Sequence, residues 1–87
     1  MAVESLFDFP TSFPIKVMGL NDADFEDLVT GIVRNYVNEI DIEAISRQPS
    51  RGGKYISITV RFQAESRAQL DAIYSELSSQ ARVLMML

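Results

Sequence analysis

Hydrophobic and polar positions alternate with two different periods along this chain, and the changes of period mark its elements. Phe13, Ile15 and Val17 alternate with Pro14, Lys16 and Met18, the two-residue period of a strand over about residues 13–18. Gly19 closes it, at a place where a positive φ or a close backbone approach would need glycine. From Phe25 the apolar residues recur in steps of three and four: Leu28, Val29, Ile32, Val33, Tyr36 and Val37. That stripe predicts a helix starting near Asn21 or Asp22 and stopping near Asn38. Gly31 inside it is expected to let the helix lie close to the sheet.

A weaker alternation follows from about Ile42 to Gln48. Ile42 and Ala44 are expected inward and Glu43, Ile45 and Arg47 outward, in an edge strand. The turn cluster Pro49-Ser50-Arg51-Gly52-Gly53 leads into the cleanest strand pattern of the chain. There Ile56, Ile58, Val60 and Phe62 alternate with Tyr55, Ser57, Thr59 and Arg61. Ser66-Arg67-Ala68-Gln69 has the spacing of a capping box and opens a second helix, with Leu70, Ile73, Tyr74 and Leu77 on its apolar stripe. A short apolar run from Arg82 to Leu87 reads as a fourth strand.

The order βαββαβ predicts an α+β, ferredoxin-like two-layer sandwich: a four-stranded antiparallel sheet with both helices on one face. Strands one and three would be central neighbours. The expected core joins Ile56, Ile58, Val60 and Phe62 to Val29, Ile32, Val33, Leu70, Ile73 and Leu77. The other face would stay open and carry Lys16, Met18, Tyr55, Ser57, Thr59 and Arg61, with Leu84 or Met86 from strand four. Residues 1–11 form an N-terminal arm, with Leu6, Phe7 and Phe9 apolar enough to dock, and residues 12–87 form the single domain.

Composition narrows the chemistry. The 87 residues contain no cysteine and no histidine, so disulfides are excluded and the commonest soft-metal ligands are missing. The first residues lack a basic region followed by an apolar run, so no signal peptide is expected. No apolar stretch approaches the roughly 18 residues of a membrane span. A cytoplasmic protein is the expectation. Net charge is −4, unevenly spread: residues 1–45 sum to −7 and residues 46–87 to +3. Overall acidity disfavours tight nucleic-acid binding, which depends on neutralising phosphates.

Several short patterns taken together resemble one family. Phe9-Pro10, Phe13 and Lys16-Val17-Met18-Gly19 come first. Pro49-Ser50, Gly53 and Tyr55 follow, with Ser57 and Thr59 on the next strand. Tyr74, Leu77 and Met85-Met86-Leu87 complete the set. With this spacing the chain resembles the YbeD-like family of small bacterial proteins, whose function is unknown, over about Leu6 to Leu87. The resemblance implies a ferredoxin-like fold and a likeness to the regulatory ligand-binding modules called ACT domains. It brings no catalytic residues. ACT domains often bind amino acids near the turn between strand one and helix one, here Gly19, Leu20, Asn21 and Asp22.

Each candidate site has a plain structural reading beside it. The Gly19–Asp22 turn offers free amides at a helix N-terminus, but Asp22 and Asp24 would repel a carboxylate and suit an ammonium instead. Asp22, Asp24, Glu26 and Asp27 splay around a helix rather than enclosing a cation, so capping is expected and no metal site. The Gly52-Gly53 hairpin lacks the phosphate-loop pattern. Ser50, Ser57 and Ser66 have no histidine to activate them. The expectation is a non-enzymatic module without cofactor that binds a protein or a small, amino-acid-like metabolite. Its candidate interaction surface is Lys16, Met18, Tyr55, Arg61, Leu84 and Met86. The apolar strand-four edge suggests a weak homodimer or a partner site. The alternatives are weak RNA binding through Tyr55, Lys16, Arg47 and Arg61, and a purely structural subunit.

Overall fold

In a computed structural model of the chain, residues 8–87 are described. Leu6 and Phe7, expected to dock as part of the arm, lie outside the described residues. Phe9 packs against the core. The elements are β1 (Thr11–Leu20), α1 (Phe25–Arg34), a short 3-10 turn (Glu39–Asp41), β2 (Ile42–Pro49), β3 (Tyr55–Ala64), α2 (Arg67–Ser78) and β4 (Val83–Met86). The strands form one sheet in the order β2-β3-β1-β4, every neighbouring pair antiparallel. This is the ferredoxin-like α+β arrangement, with β1 and β3 central.

Strict alternation decides which side chains meet the helices. Ile15 and Val17 of β1 pair across from Val60 and Ile58 of β3, and all four are fully buried. They join Phe62 and Ala64 beneath Phe25, Val29, Ile32, Val33 and Val37 on the α1 side and Leu70, Ile73 and Leu77 of α2. The expected core is buried as a unit, except that Ile56, near the end of the sheet, is only partly covered. Leu28, Tyr74 and Val83 pack around its margin.

Three local expectations give way to tertiary packing. In β2 the pairing steps from Ile42↔Phe62 directly to Ala44↔Arg61, so a bulge around Glu43 shifts the phase of the strand. Ile42 and Ile45 both pack on the core and Ala44 is exposed, the reverse of the simple alternation for Ala44 and Ile45. Arg47, opposite the buried Ile58, turns to the helix side as well. Gly31 is exposed, and a Cβ there would meet nothing within 4 Å, so it does not bring α1 closer to the sheet. Gly19 does not end β1, which continues to Leu20, and its φ is not positive. A Cβ on Gly19 would stand 2.5 Å from the Phe25 ring and 2.6 Å from the carbonyl oxygen of Arg82. Glycine is needed there for close approach, beside the irregular step in the β1–β4 pairing.

Helix α1 is shorter than its apolar stripe. It ends at Arg34, where Asn35 and Tyr36 donate to the carbonyls of Ile32 and Val33 in a tightened last turn. Val37 stays buried beyond the helix end. At the start of α2, Ser66 Oγ accepts from the Gln69 amide at 3.1 Å, as the capping pattern requires. The Gln69 side chain accepts from Glu65 N at 2.7 Å rather than from Ser66, and donates to the Tyr36 carbonyl at 2.8 Å. One side chain thus caps α2 and ties it to the end of α1. No helix among the described residues is long and apolar enough to cross a membrane.

Candidate functional site

The Gly19–Asp22 turn is closed by the protein itself. The Asn21 amide donates to the Lys54 carbonyl at 2.9 Å, and Asn21 Nδ2 donates to the Gly53 carbonyl at 3.0 Å, so the β2–β3 hairpin lies against the turn. The Asp22 amide donates to the Leu20 carbonyl at 2.8 Å. Asp22 and Asp24 do not cap α1. Asp24 occupies the N-cap position, yet its side chain makes no capping bond. Arg82 Nη2 approaches Asp24 Oδ1 at 2.7 Å and Asp22 Oδ2 at 3.6 Å, and its guanidinium lies 5.8 Å from the centre of the Phe25 ring. The hydrogen bond from Arg82, with its charge, holds the Asp24 carboxyl below its ordinary range. The cation that these acids suit is therefore supplied from the α2–β4 loop.

Glu26, also assigned to capping, reaches out of α1 in the same way. Arg47 grips it in a two-pronged pair, Nε to Oε1 at 2.5 Å and Nη2 to Oε2 at 2.8 Å. That hydrogen bond lowers the Glu26 pKa. Arg67 pairs with Asp71 along α2, and Arg34 stands 3.8 Å from Glu39. Every ion pair among the described residues involves a helix or a turn flanking one.

The open face is different. Its outward positions are Ser12, Pro14, Lys16, Met18 and Leu20 on β1 and Tyr55, Ser57, Thr59, Arg61 and Gln63 on β3, set by the pairing of β1 with β3. Ala44, Ser46 and Gln48 continue it on β2, and Met85, opposite Met18, continues it on β4. Met86 does not belong here. It pairs with the buried Val17 and packs on the core, because the irregular step at Met18/Gly19 sets the phase of β4. Leu84 is the unpaired residue of that step and is exposed. Sequence reasoning passed over Met85. The signal for it was the apolar run itself, whose phase only the pairing could decide.

Met18 is half-buried, whereas Leu20, Leu84, Met85 and Leu87 are exposed, and together they give the β1–β4 side of the domain an apolar margin. Lys16 and Arg61 are exposed beside it, and neither has an ion-pair partner among the described residues. Arg61 Nη1 donates to Ser12 Oγ at 3.4 Å, and that hydroxyl donates to the Glu43 carboxylate at 2.9 Å. Lys54 Nζ sits 5.4 Å from the centre of the Tyr55 ring. Of the four residues named for RNA binding, Tyr55, Lys16 and Arg61 come together on this face. Arg47 is on the opposite one, engaged with Glu26.

A hollow of about 400 Å³ lies between β1 and α2 and is lined by Phe13, Arg67, Leu70, Asp71 and Tyr74. Its charges satisfy each other, and burial pushes the Tyr74 hydroxyl up. No group of three or more His, Cys, Asp or Glu able to hold a metal ion occurs among the described residues.

Comparison with known proteins places the chain. Residues 4–87 match the family model described as a protein of unknown function, DUF493. A UPF0250 protein of Paraburkholderia phytofirmans is 43% identical over 84 residues, covering 97% of this chain and 94% of the relative. UPF0250 protein NE1487 of Nitrosomonas europaea is 40% identical over the whole length of both. The solution structure of protein HP0495 from H. pylori superposes with a TM-score of 0.70 at 14% identity, covering 93% of this chain and 85% of that one, a likeness of fold. With the βαββαβ topology and near-complete coverage by these relatives, the chain belongs to the DUF493 family, that of the YbeD-like UPF0250 proteins.

Proposed function

We propose that this protein is a non-enzymatic binding module that docks another protein on its open sheet face. The observation that carries the reading is the uncovered face itself. One side of the sheet has two helices on it, and the other has no layer at all among the described residues. That bare side gathers Met18, Leu20 and Met85 next to the β4 edge, where Leu84 and Leu87 are also exposed. An apolar margin bordered by polar residues is the usual composition of a protein contact surface. Strand addition along β4 would extend the same surface.

A small amino-acid-like ligand at the Gly19–Asp22 turn is the less supported version, because the hairpin backbone and Arg82 already use the groups it would need. The absence of histidine and cysteine favours binding over catalysis. The test is affinity capture from native lysate with the full chain, with proteins, RNA and small metabolites analysed together. A protein recovered in stoichiometric amount by the wild type and lost with Leu20→Glu/Met85→Glu supports the reading. Stoichiometric RNA, or capture indifferent to that double variant, rejects it.

A further inference from the structure

The eight basic residues of this chain divide sharply by location. Arg34, Arg47, Arg67 and Arg82 are each matched to a carboxylate around the helices. Lys16, Arg51, Lys54 and Arg61 lie on the open face or on the hairpin at its end, and none has an ion pair among the described residues. Acidic residues show the opposite bias. None occupies an outward position of β1, β3 or β4, and among the described residues Glu43 at the β2 bulge is the carboxylate hydrogen-bonded to this face, through Ser12. In a chain of net charge −4, the uncovered face is thus basic and partly apolar.

We infer that the occupant of the open face is an acidic amphipathic protein segment. It would lay apolar side chains on Met18, Leu20 and Met85 and set carboxylates against Lys16 and Arg61. The inference rests on the proposed docking function and specifies the chemistry of the partner. Charge complementarity across a contact steers encounter and rejects wrong partners. Lys16 and Met18 are two positions apart on β1 and so share its outward face, where cation and apolar contact can be read by one segment. Nucleic acid fits less well. Bases need several stacking rings, and among the described residues the outward positions of the strands carry one, Tyr55, already beside Lys54. The exposed methionine and leucine side chains offer a phosphate chain nothing.

The experiment is selection of random linear peptides displayed against the full chain, followed by anisotropy titrations of the selected peptides. The wild type should enrich peptides that place Asp or Glu among Leu, Ile or Phe. Lys16→Glu/Arg61→Glu should weaken them by about tenfold or more, with loss also as salt rises. Exchanging the peptide acids for lysine should restore binding to that variant, which a merely unfolded protein could not do. Peptides without acids, still lost with Leu20→Glu/Met85→Glu, would overturn the charge assignment and leave the docking face standing. Binding indifferent to both double variants, or no enrichment, would overturn the face itself. A single-stranded RNA oligonucleotide that binds the wild type and not Lys16→Glu/Arg61→Glu would replace the protein segment with nucleic acid.

Discussion

The two sides of the sheet use the same strands and end in opposite states. On the helix side, Ile15 and Val17 of β1 and Ile58, Val60 and Phe62 of β3 are fully buried, and the surrounding charges are paired: Arg47 with Glu26, Arg82 with Asp24, Arg67 with Asp71. On the open side, Lys16 and Arg61 have no ion-pair partner among the described residues, and Leu20 and Met85 are exposed. Alternation makes this possible, since neighbouring residues of one strand serve two environments. The lesson is a division of labour. Charges on the covered side fasten loops and helices to the sheet, while Lys16 and Arg61 on the open side form no ion pair among the described residues, Arg61 reaching only the Ser12 hydroxyl.

The largest expected contrast is in stability. Ile58→Ala, at a fully buried position of β3, should cost about 2–4 kcal/mol in urea unfolding. Thr59→Ala, its neighbour on the open face, should change stability by no more than about 0.5 kcal/mol. Equal losses would abolish the distinction between the two faces.

Gly19→Ala tests how tightly the covered side is closed. The added methyl group meets both the Phe25 ring and the Arg82 backbone, so a loss of about 1–3 kcal/mol is expected. A neutral result would mean that the β1–α1 turn can yield. Gly31→Ala should act in the opposite direction. Gly31 sits in the exposed interior of α1 with open space where its Cβ would be, and alanine should stabilise the helix by about 0.5–1 kcal/mol. A destabilised variant would reveal a contact at this site.

The smallest effect concerns pH and sharpens the account of the paired charges. Asp24 and Glu26 have pKa values lowered by hydrogen bonds from Arg82 and Arg47. A depressed folded-state pKa contributes stability above the unfolded value, about 4 for these groups, and the contribution is lost as pH falls through the folded values. Urea midpoints measured from pH 6 downward should therefore decline on the acid side. Arg82→Gln and Arg47→Gln should lessen that decline. An identical acid limb in both variants would show that these pairs do not bias folding. At the alkaline end the sign reverses. Tyr36 is raised by its 2.6 Å hydrogen bond to Glu76, so its contribution is fully present below the ordinary phenol value and is lost as pH rises through the raised folded value, and Tyr36→Phe should remove it.

Much of this fold could be read directly. The periods of Phe25–Val37 and Tyr55–Phe62, the hairpin at Gly52-Gly53 and the cap at Ser66 are local properties, and local rules of sterics and periodicity are enough to place them. The candidate surface was legible where alternation is regular, which is why Lys16, Met18, Tyr55 and Arg61 share a face. It was not legible where pairing slips. The bulge at Glu43 sends Ile45 inward, and the irregular step at Gly19 exchanges Met86 for Met85. Acidic residues at the head of α1 satisfy the helix dipole in any local account, so nothing in their spacing discloses that Asp24 and Glu26 reach Arg82 and Arg47 instead. Amino-acid order by itself determined the elements, their sequence and most of the core, because periodicity and turn chemistry act between near neighbours. Tertiary structure alone decided strand phase, the role of Gly19 and which charges are paired, because each depends on groups brought together from distant parts of the chain.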